Sequence, residues 1–195
     1  MIRICVLGSI GSGKSFISKL FNCPIFNADR EVNHVYRKDR KCFNQLKNKL
    51  SSYIKSFPIK KKELIKAINS NNKNLKIISS IVHPIVRRRL IKFLNKNKFS
   101  KIVVLDIPLL VENKLYKKDD VFLFIKSNKS NILDRLKKRK NYNKKIHKTL
   151  NQNQAAMLKK RKLAHYIVDN NSPPDIMRKK IKLLKKRIFD ERNRT

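Results

Sequence analysis

An octapeptide near the start of the chain has the residue types and spacing of a phosphate-binding loop. Residues 8–15 read Gly-Ser-Ile-Gly-Ser-Gly-Lys-Ser and match the pattern G-x-x-x-x-G-K-[ST] at every fixed position. In such a loop, backbone N–H groups surround a phosphate and the following helix adds partial positive charge. Lys14 is placed to bridge two phosphates, and the Ser15 hydroxyl can ligate Mg²⁺. The segment therefore predicts binding of ATP.

Glycine usage supports the same interpretation. The 195 residues include three glycines, Gly8, Gly11 and Gly13, and all three lie in this loop. Glycine adopts positive φ without steric cost and has no Cβ to obstruct a ligand that approaches the backbone. A sequence that uses glycine nowhere else therefore indicates a strict backbone requirement here.

Two aspartates follow predicted strands and are candidates for catalysis or metal binding. Asp29 comes after the strand predicted at residues 24–26, and Asp106 after the strand predicted at 101–105. Asp29 could accept a proton from an attacking hydroxyl, or instead cap the next helix. Asp106 could bind Mg²⁺, or instead be a turn residue before Pro108.

Three basic side chains are further candidates. His83 stands before a proline and could contact a ligand or be an ordinary surface residue. Arg135 and Arg139 are four residues apart, so on a helix both could reach one phosphate cluster. The alternative for the two arginines is that they belong to a generally basic surface.

The elements that must position these residues alternate between strand and helix. Such alternation predicts a parallel sheet with helices on both faces. The strands are expected at residues 2–7, 24–26, 101–105, 121–125 and 166–168. The helices are expected at 15–21, from about 30, and at 42–50, 60–69, 75–82, 86–94, 126–148, 151–163 and 176–189, with the His-Pro pair at 83–84 as an interruption.

The charge is extreme, with 50 Lys and Arg against 13 Asp and Glu, a formal net charge of +37. Such a surface attracts polyanions, including nucleic acid. The lysines are spread over nearly every segment, whereas nucleic-acid readers more often concentrate them on one face. Compositional drift, together with the handling of small phosphorylated ligands, is the simpler interpretation. We therefore expect no specific nucleic-acid partner.

Other classes are excluded by composition. No run approaches the roughly 18 apolar residues of a membrane helix, and the short apolar run at 4–7 lacks signal-peptide form. We expect a cytoplasmic protein without a membrane partner. Cys5, Cys23 and Cys42 are too scattered for a disulfide framework or a zinc site, and are expected to be reduced thiols.

Together, five segments resemble the dephospho-CoA kinase family. They occur in the family's order and spacing, and the resemblance covers nearly the whole chain. The segments are the loop at 8–15, Asn-Ala-Asp at 27–29, His-Pro at 83–84, Asp-Ile-Pro-Leu-Leu-Val-Glu at 106–112 and Ala-His-Tyr-Ile-Val-Asp-Asn at 164–170.

The resemblance implies an α/β fold with a P-loop NTPase core, a doubly wound parallel sheet, a helical CoA-binding insertion and a helical lid. Within a single domain of residues 1–195, the core would comprise 1–31, 98–126 and 149–195, the CoA-binding part 32–97 and the lid 127–148. The implied reaction transfers the γ-phosphoryl of ATP, with Mg²⁺, to the ribose 3′-hydroxyl of dephospho-CoA. The implied partners are these two small molecules, and the protein would be a monomer or a weak homo-oligomer.

The resemblance also assigns roles to residues. Asp29 matches the general base, Lys14 the phosphate-binding lysine, and Arg139, supported by Arg135, the arginines that close over the transferring phosphoryl. Ser15 would hold Mg²⁺, with Asp29 or Asp106 acting through water. ATP would contact Gly11, Ser12, Gly13, Lys14, Ser15, Phe16, Arg135, Arg139 and Asn170, the last at the adenine edge. Dephospho-CoA would contact Asp29, His83, Asp106 and Leu109.

The chain departs from the family's common pattern in three segments. Asn27 stands where aspartate is common, His165 also replaces an aspartate, and Leu7-Gly8-Ser9 replaces Thr-Gly-Gly. None of these departures alters Lys14, Ser15 or Asp29, so activity is expected to be retained.

Two other functions remain open at this stage. One is a kinase for another small acceptor, such as a nucleoside monophosphate or shikimate, and the other is a nucleic-acid-binding protein. A P-loop also serves ATPases and GTPases, although the chain has no Asn-Lys-x-Asp segment for reading guanine.

Overall fold

The structure is a computed structural model that describes residues 1–108, 110–111, 115–138 and 154–193. It divides into two compact units. The core unit comprises Met1–Phe26 and Asn97–Thr195, and the helical unit comprises Asn27–Lys96. Each unit has its own hydrophobic cluster.

A five-stranded sheet organises the core unit. Its strands are β1 (Ile2–Gly8), β2 (Ile25–Asn27), β3 (Ile102–Asp106), β4 (Val121–Lys126) and β5 (Tyr166–Asp169), in the order β2-β3-β1-β4-β5. The central strand β1 pairs in parallel with β3 and β4, and β4 pairs in parallel with β5. Every residue of β3 is buried, as expected for a strand covered on both faces. The predicted parallel sheet is confirmed.

Helices pack on this sheet and also build the helical unit. In chain order the described helices are α1 (Lys14–Leu20), α2 (Ala28–Lys38), α3 (Arg40–Lys49), α4 (Lys61–Ser70), α5 (Asn72–Lys96), α6 (Lys129–Lys137), α7 (Gln154–Lys162) and α8 (Pro174–Asn193). On α8, Met177, Ile181 and Ile188 are fully buried against the sheet's core cluster. Their spacing of four and seven residues places them on one helical face.

The helical unit is organised by its longest helix, α5. Helices α2, α3 and α4 all contact α5 and enclose a cluster that includes Val35, Leu46 and Ile78. Glu31 and Arg89 form an ion pair at 3.1 Å, which links α2 to α5 within the unit.

The prediction that the His-Pro pair at 83–84 separates two helices is wrong. The structure has one helix, Asn72–Lys96, with Pro84 inside it. A proline removes one backbone hydrogen bond and crowds the preceding turn. Here Val82 and Ile85, on either side of it, are both buried in the helical unit's core, and this packing holds the two halves in one helix.

Some predictions fall on residues that the structure does not describe. The helix predicted at 126–148 begins later than expected, because Lys126 ends β4 and α6 starts at Lys129; α6 covers residues 129–137, and residues 139–148 lie outside those described. Arg139 and Leu109 both lie outside the described residues. Among the residues that are described, no helix is long and apolar enough to cross a membrane.

The three cysteines are free thiols, as predicted. Cys5 and Cys42 are fully buried, and burial raises the pKa of the Cys42 thiol to about 11 and that of Cys5 further. These two side chains therefore remain protonated at neutral pH and pack as small apolar groups.

A buried ion pair joins the central strand to the segment before β4. Arg3 on β1 is 2.9 Å from the Asp120 carboxylate, which also accepts a hydrogen bond from the Lys117 N–H at 2.9 Å. Arg3 additionally donates to the Leu115 carbonyl at 3.3 Å. Asp120 therefore neutralises a guanidinium that folding removes from water.

We predict that Asp120→Ala lowers the free energy of unfolding by about 3–5 kcal/mol, because it leaves Arg3 buried without its counter-ion. Urea unfolding of wild type and variant measures the loss. The matched control is Asp175→Ala, which removes an exposed ion pair with Arg178 and should leave stability almost unchanged. Equal losses in the two variants would contradict the prediction.

Candidate functional site

The loop between β1 and α1 has the backbone that its glycines predict. The φ angles of Gly8, Gly11 and Gly13 are +143°, +84° and +91°. Residues with a side chain rarely adopt such angles. Gly13 also begins α1, since its carbonyl accepts the Ile17 N–H at 3.0 Å.

Neighbouring atoms also leave little room for a side chain at these three glycines. A Cβ on Gly8 would lie 2.6 Å from the Ile125 carbonyl oxygen, and one on Gly13 would lie 2.1 Å from the Asn170 amide nitrogen. A Cβ on Gly11 would meet Ile132 at 3.0 Å, a milder contact with a side chain. The loop therefore lies flat against the ends of neighbouring elements.

Lys14 binds the first part of the loop. Its ammonium donates to the carbonyl oxygens of Gly8 at 3.0 Å and Ser9 at 2.8 Å. The Ser12 N–H donates to the Ser9 carbonyl at 3.2 Å and closes a turn. A lysine held in this way carries its charge beside the loop, where phosphate oxygens are expected.

Ser15 and Asp106 form the next part of the site. The Ser15 hydroxyl donates to the Asp106 carboxylate at 2.7 Å, and Asp106 is buried at the carboxyl end of β3. In parallel sheets this edge is where ligands bind. The pair supplies oxygen atoms of the kind that Mg²⁺ prefers.

The described residues contain no cluster of three or more His, Cys, Asp or Glu that could enclose a metal.

Arg135 on α6 and Asn170, which directly follows β5, both contact the loop. Arg135 donates to the carbonyl oxygens of Ser12 at 3.2 Å and Asn170 at 2.8 Å. The Asn170 side chain donates to the Ser12 carbonyl at 2.8 Å and is 2% exposed. The structure thus brings two predicted nucleotide-binding residues together with the loop.

Asp29 and His83 belong to the helical unit. Asp29 is exposed in the first turn of α2, and the Asn27 side chain caps that helix by accepting the Arg30 N–H at 2.8 Å. The alternative that Asp29 is the cap is therefore wrong. His83 is exposed on α5 and lines an open groove of about 450 Å³ with Arg87 and Arg88.

Sequence reasoning missed two residues near the site. Asn171 accepts hydrogen bonds from the Ser127 hydroxyl, the Asn128 N–H and the Asn131 amide at 2.8–3.0 Å, which fixes the start of α6. Its place just beyond β5, at the ligand-binding edge of the sheet, was the available signal.

The second missed residue is Lys160. It lies in the basic run 159–162, a composition that is typical of a solvated helix face, yet it is 6% exposed and its ammonium donates to the Pro108 carbonyl at 3.2 Å. Nothing in the run distinguishes this lysine from its neighbours. Phe16, predicted to contact ATP, is 38% exposed on α1 just after the loop.

We predict that alanine at Gly13 or Gly8 weakens ATP binding at least about tenfold, with a smaller effect at Gly11. Each substitution strains a positive φ, and the first two also force a collision below 3.0 Å. Calorimetric titration measures the ATP affinity of each variant, and thermal unfolding shows whether each variant is folded. The prediction would be contradicted if alanine at Gly11 weakened ATP binding more than alanine at Gly8 or Gly13.

Comparisons with known proteins bear on the whole chain. The dephospho-CoA kinase family model matches residues 2–175. A dephospho-CoA kinase of Wolbachia pipientis wMel is 30% identical over 173 residues, which span 86% of this chain and 88% of that protein.

Two solved structures share the fold. One, of a Thermus thermophilus protein, has a TM-score of 0.77 at 24% identity and covers 94% of this chain and 95% of the other. The second, a dephospho-CoA kinase from Campylobacter jejuni, has a TM-score of 0.72 at 20% identity, with 97% and 98% covered. These two structures show the fold alone. The family match shows that this chain belongs to the dephospho-CoA kinase family, whose members are ATP-using transferases that catalyse the last step of CoA synthesis.

Proposed function

We propose that this chain transfers the γ-phosphoryl group of ATP to the ribose 3′-hydroxyl of dephospho-CoA, giving CoA and ADP. The observation that carries the proposal is a complete phosphate-binding loop, with Ser15 bonded to Asp106 at 2.7 Å, in a member of the dephospho-CoA kinase family. The loop supplies the chemistry of phosphoryl transfer, and membership of the family supplies the identity of the acceptor.

On the nucleotide side, the backbone of Gly11, Ser12 and Gly13 would donate to the phosphates. Lys14 would exchange loop carbonyls for oxygens of the β- and γ-phosphates, which carry full negative charge and so attract its ammonium more strongly. Phe16, Arg135 and Arg139 complete the proposed direct ATP contacts, with Arg139 over the transferring group, and Asn170 would act from beside the loop.

Mg²⁺ would be held by Ser15, with Asp106 or Asp29 acting through water. The hydroxyl and carboxylate oxygens beside the loop fit such an ion. When bound, Mg²⁺ neutralises charge on the β- and γ-phosphate oxygens.

On the acceptor side, Asp29 would act as general base. As the 3′-oxygen forms a bond to the γ-phosphorus, the bond from that phosphorus to the β–γ bridging oxygen breaks, and the hydroxyl proton passes to the Asp29 carboxylate. Two features support this role, since Asp29 is exposed and helix capping is performed by Asn27.

The helical unit would bind dephospho-CoA, with the lid at 127–148 closing over ATP. In that unit His83 would contact the acceptor beside Arg87 and Arg88, whose charges suit a phosphorylated ligand. Asp106 and Leu109 would complete the acceptor contacts. Because both substrates are polyanions, the charge of +37 needs no nucleic acid to explain it.

An acceptor assay tests the proposal directly. Purified protein is incubated with MgATP and, in separate reactions, dephospho-CoA, a nucleoside monophosphate or shikimate. We expect CoA from the first reaction and no comparable product from the other two. Transfer to another acceptor, or none to dephospho-CoA, would overturn the proposal.

We predict that Lys14→Ala lowers kcat/KM by at least about 100-fold, because the transferring phosphates lose a direct positive charge. Rates of CoA formation measure the loss. Thermal unfolding must remain like that of the wild type, since Lys14 is only partly buried and its loop contacts are to two carbonyls. Wild-type turnover in this variant would exclude the proposed role.

We predict that Asp29→Asn lowers kcat by about 100-fold or more, because the amide cannot accept the hydroxyl proton. The matched control is Asp175→Asn, since both aspartates are exposed second residues of helices, in α2 and α8. The control should keep full turnover. Turnover by Asp29→Asn at the control's rate would exclude Asp29 as the base.

A further inference from the structure

The peptide between Ser12 and Gly13 is held from one side by two donors. The Ser12 carbonyl oxygen accepts the Asn170 amide N–H at 2.8 Å and an Arg135 guanidinium N–H at 3.2 Å. A carbonyl oxygen has two lone pairs, so these two hydrogen bonds fill its capacity as an acceptor. The orientation of this carbonyl is therefore fixed by residues far away in the sequence.

Asn170 is itself rigidly placed. It directly follows β5, its N–H donates to the Lys126 carbonyl at 2.8 Å, and its own carbonyl accepts from Arg135 at 2.8 Å. The Ser127 hydroxyl donates to that carbonyl as well, at 3.2 Å. With its backbone bound on both sides and its side chain buried, Asn170 has little freedom to turn its amide elsewhere.

Peptide geometry links this contact to the ligand side of the loop. In a planar trans peptide the C=O and the following N–H point in opposite directions. With the Ser12 C=O directed at Asn170 and Arg135, the Gly13 N–H is directed away from them. Asn170 also approaches Gly13 so closely that a Cβ at position 13 would lie 2.1 Å from the Asn170 amide nitrogen, which leaves no room for a side chain at that position.

We infer that Asn170 is a positioning residue for the phosphate-binding loop. Its amide, with Arg135, sets the Ser12–Gly13 peptide so that the Gly13 N–H is available to a nucleotide phosphate. The inference rests on the proposed function only in taking the loop to bind ATP phosphates. It differs from the adenine contact that family resemblance implies, since the buried amide is bonded to the loop.

The two roles make different parts of the nucleotide depend on Asn170. The variants are Asn170→Leu, which keeps the side chain's approximate shape without a donor, and Asn170→Ala, in case leucine disturbs folding. The probes are ATP, inorganic tripolyphosphate, which has no base, and adenosine, which has no phosphate. Binding is measured by calorimetry or by displacement, with KM and kcat measured in the CoA-forming assay.

We expect both variants to bind ATP and tripolyphosphate about tenfold more weakly, the loss typical of one buried hydrogen bond. Adenosine affinity should be unchanged, and KM for dephospho-CoA should stay at the wild-type value. Weaker adenosine binding with unchanged tripolyphosphate binding would overturn the inference in favour of an adenine contact. Unchanged affinity for all three probes would overturn it as well.

Asn74→Ala is the matched control for stability. Asn74 is also a buried asparagine whose amide donates to a backbone carbonyl, that of Ala67 at 2.8 Å, but it lies in the helical unit. A comparable loss of thermal stability is expected, without the tenfold loss of tripolyphosphate affinity. If the control loses affinity equally, the effect of Asn170 is only structural and the inference fails.

The test separates this inference from the proposed function. Tripolyphosphate binding needs no acceptor, so it reports on the loop even if the wild type makes no CoA. CoA formation with unchanged tripolyphosphate binding in the Asn170 variants would leave the proposed function standing and remove the inference. Failure of the wild type to bind tripolyphosphate would remove the loop's role and the inference with it.

Discussion

A loop that offers its N–H groups to a phosphate must bond its carbonyl oxygens elsewhere, because each trans peptide points the two groups in opposite directions. In this chain Asn170 and Arg135 donate to the carbonyl of Ser12, whose peptide continues into the Gly13 N–H. An unmade backbone hydrogen bond in such a site would cost about 1–3 kcal/mol. The donors on the side away from the ligand are therefore as necessary to the loop as the glycines that allow its shape.

The parallel sheet is what brings those donors within reach. Strand β1 lies between β3 and β4, so the loop that follows it emerges beside the ends of both neighbours. Asp106 ends β3 and meets Ser15, while Ser127 and Asn170 follow β4 and β5 and meet Arg135. Residues distant in sequence thus converge because parallel strands carry their carboxyl ends to one edge. The buried Arg3–Asp120 pair joins β1 to the start of β4 at the opposite ends of these strands.

The parts of this arrangement that could be predicted are those specified locally. Short apolar runs ended by glycine or aspartate predict the strands, and the loop pattern predicts positive φ at its glycines. The contact of Asn170 with Ser12 spans 158 residues and depends on strand order, which local patterns do not specify. Pro84 predicts a helix end, but packing on both sides overrides it. Lys160 looks like any other residue of a basic run, and only the fold buries it.

In a chain so enriched in lysine, the acidic residues that remain are informative in the same way as the glycines. Asp120 neutralises Arg3, Asp106 accepts from Ser15, and Glu31 pairs with Arg89. Asp39 caps α3 by accepting the Cys42 N–H at 2.9 Å. Each of these carboxylates has a structural partner that explains it. Asp29 lies in the first turn of α2, and Asn27 caps that helix by accepting the Arg30 N–H. Since asparagine caps a helix as well as aspartate does, the change at position 27 leaves α2 intact.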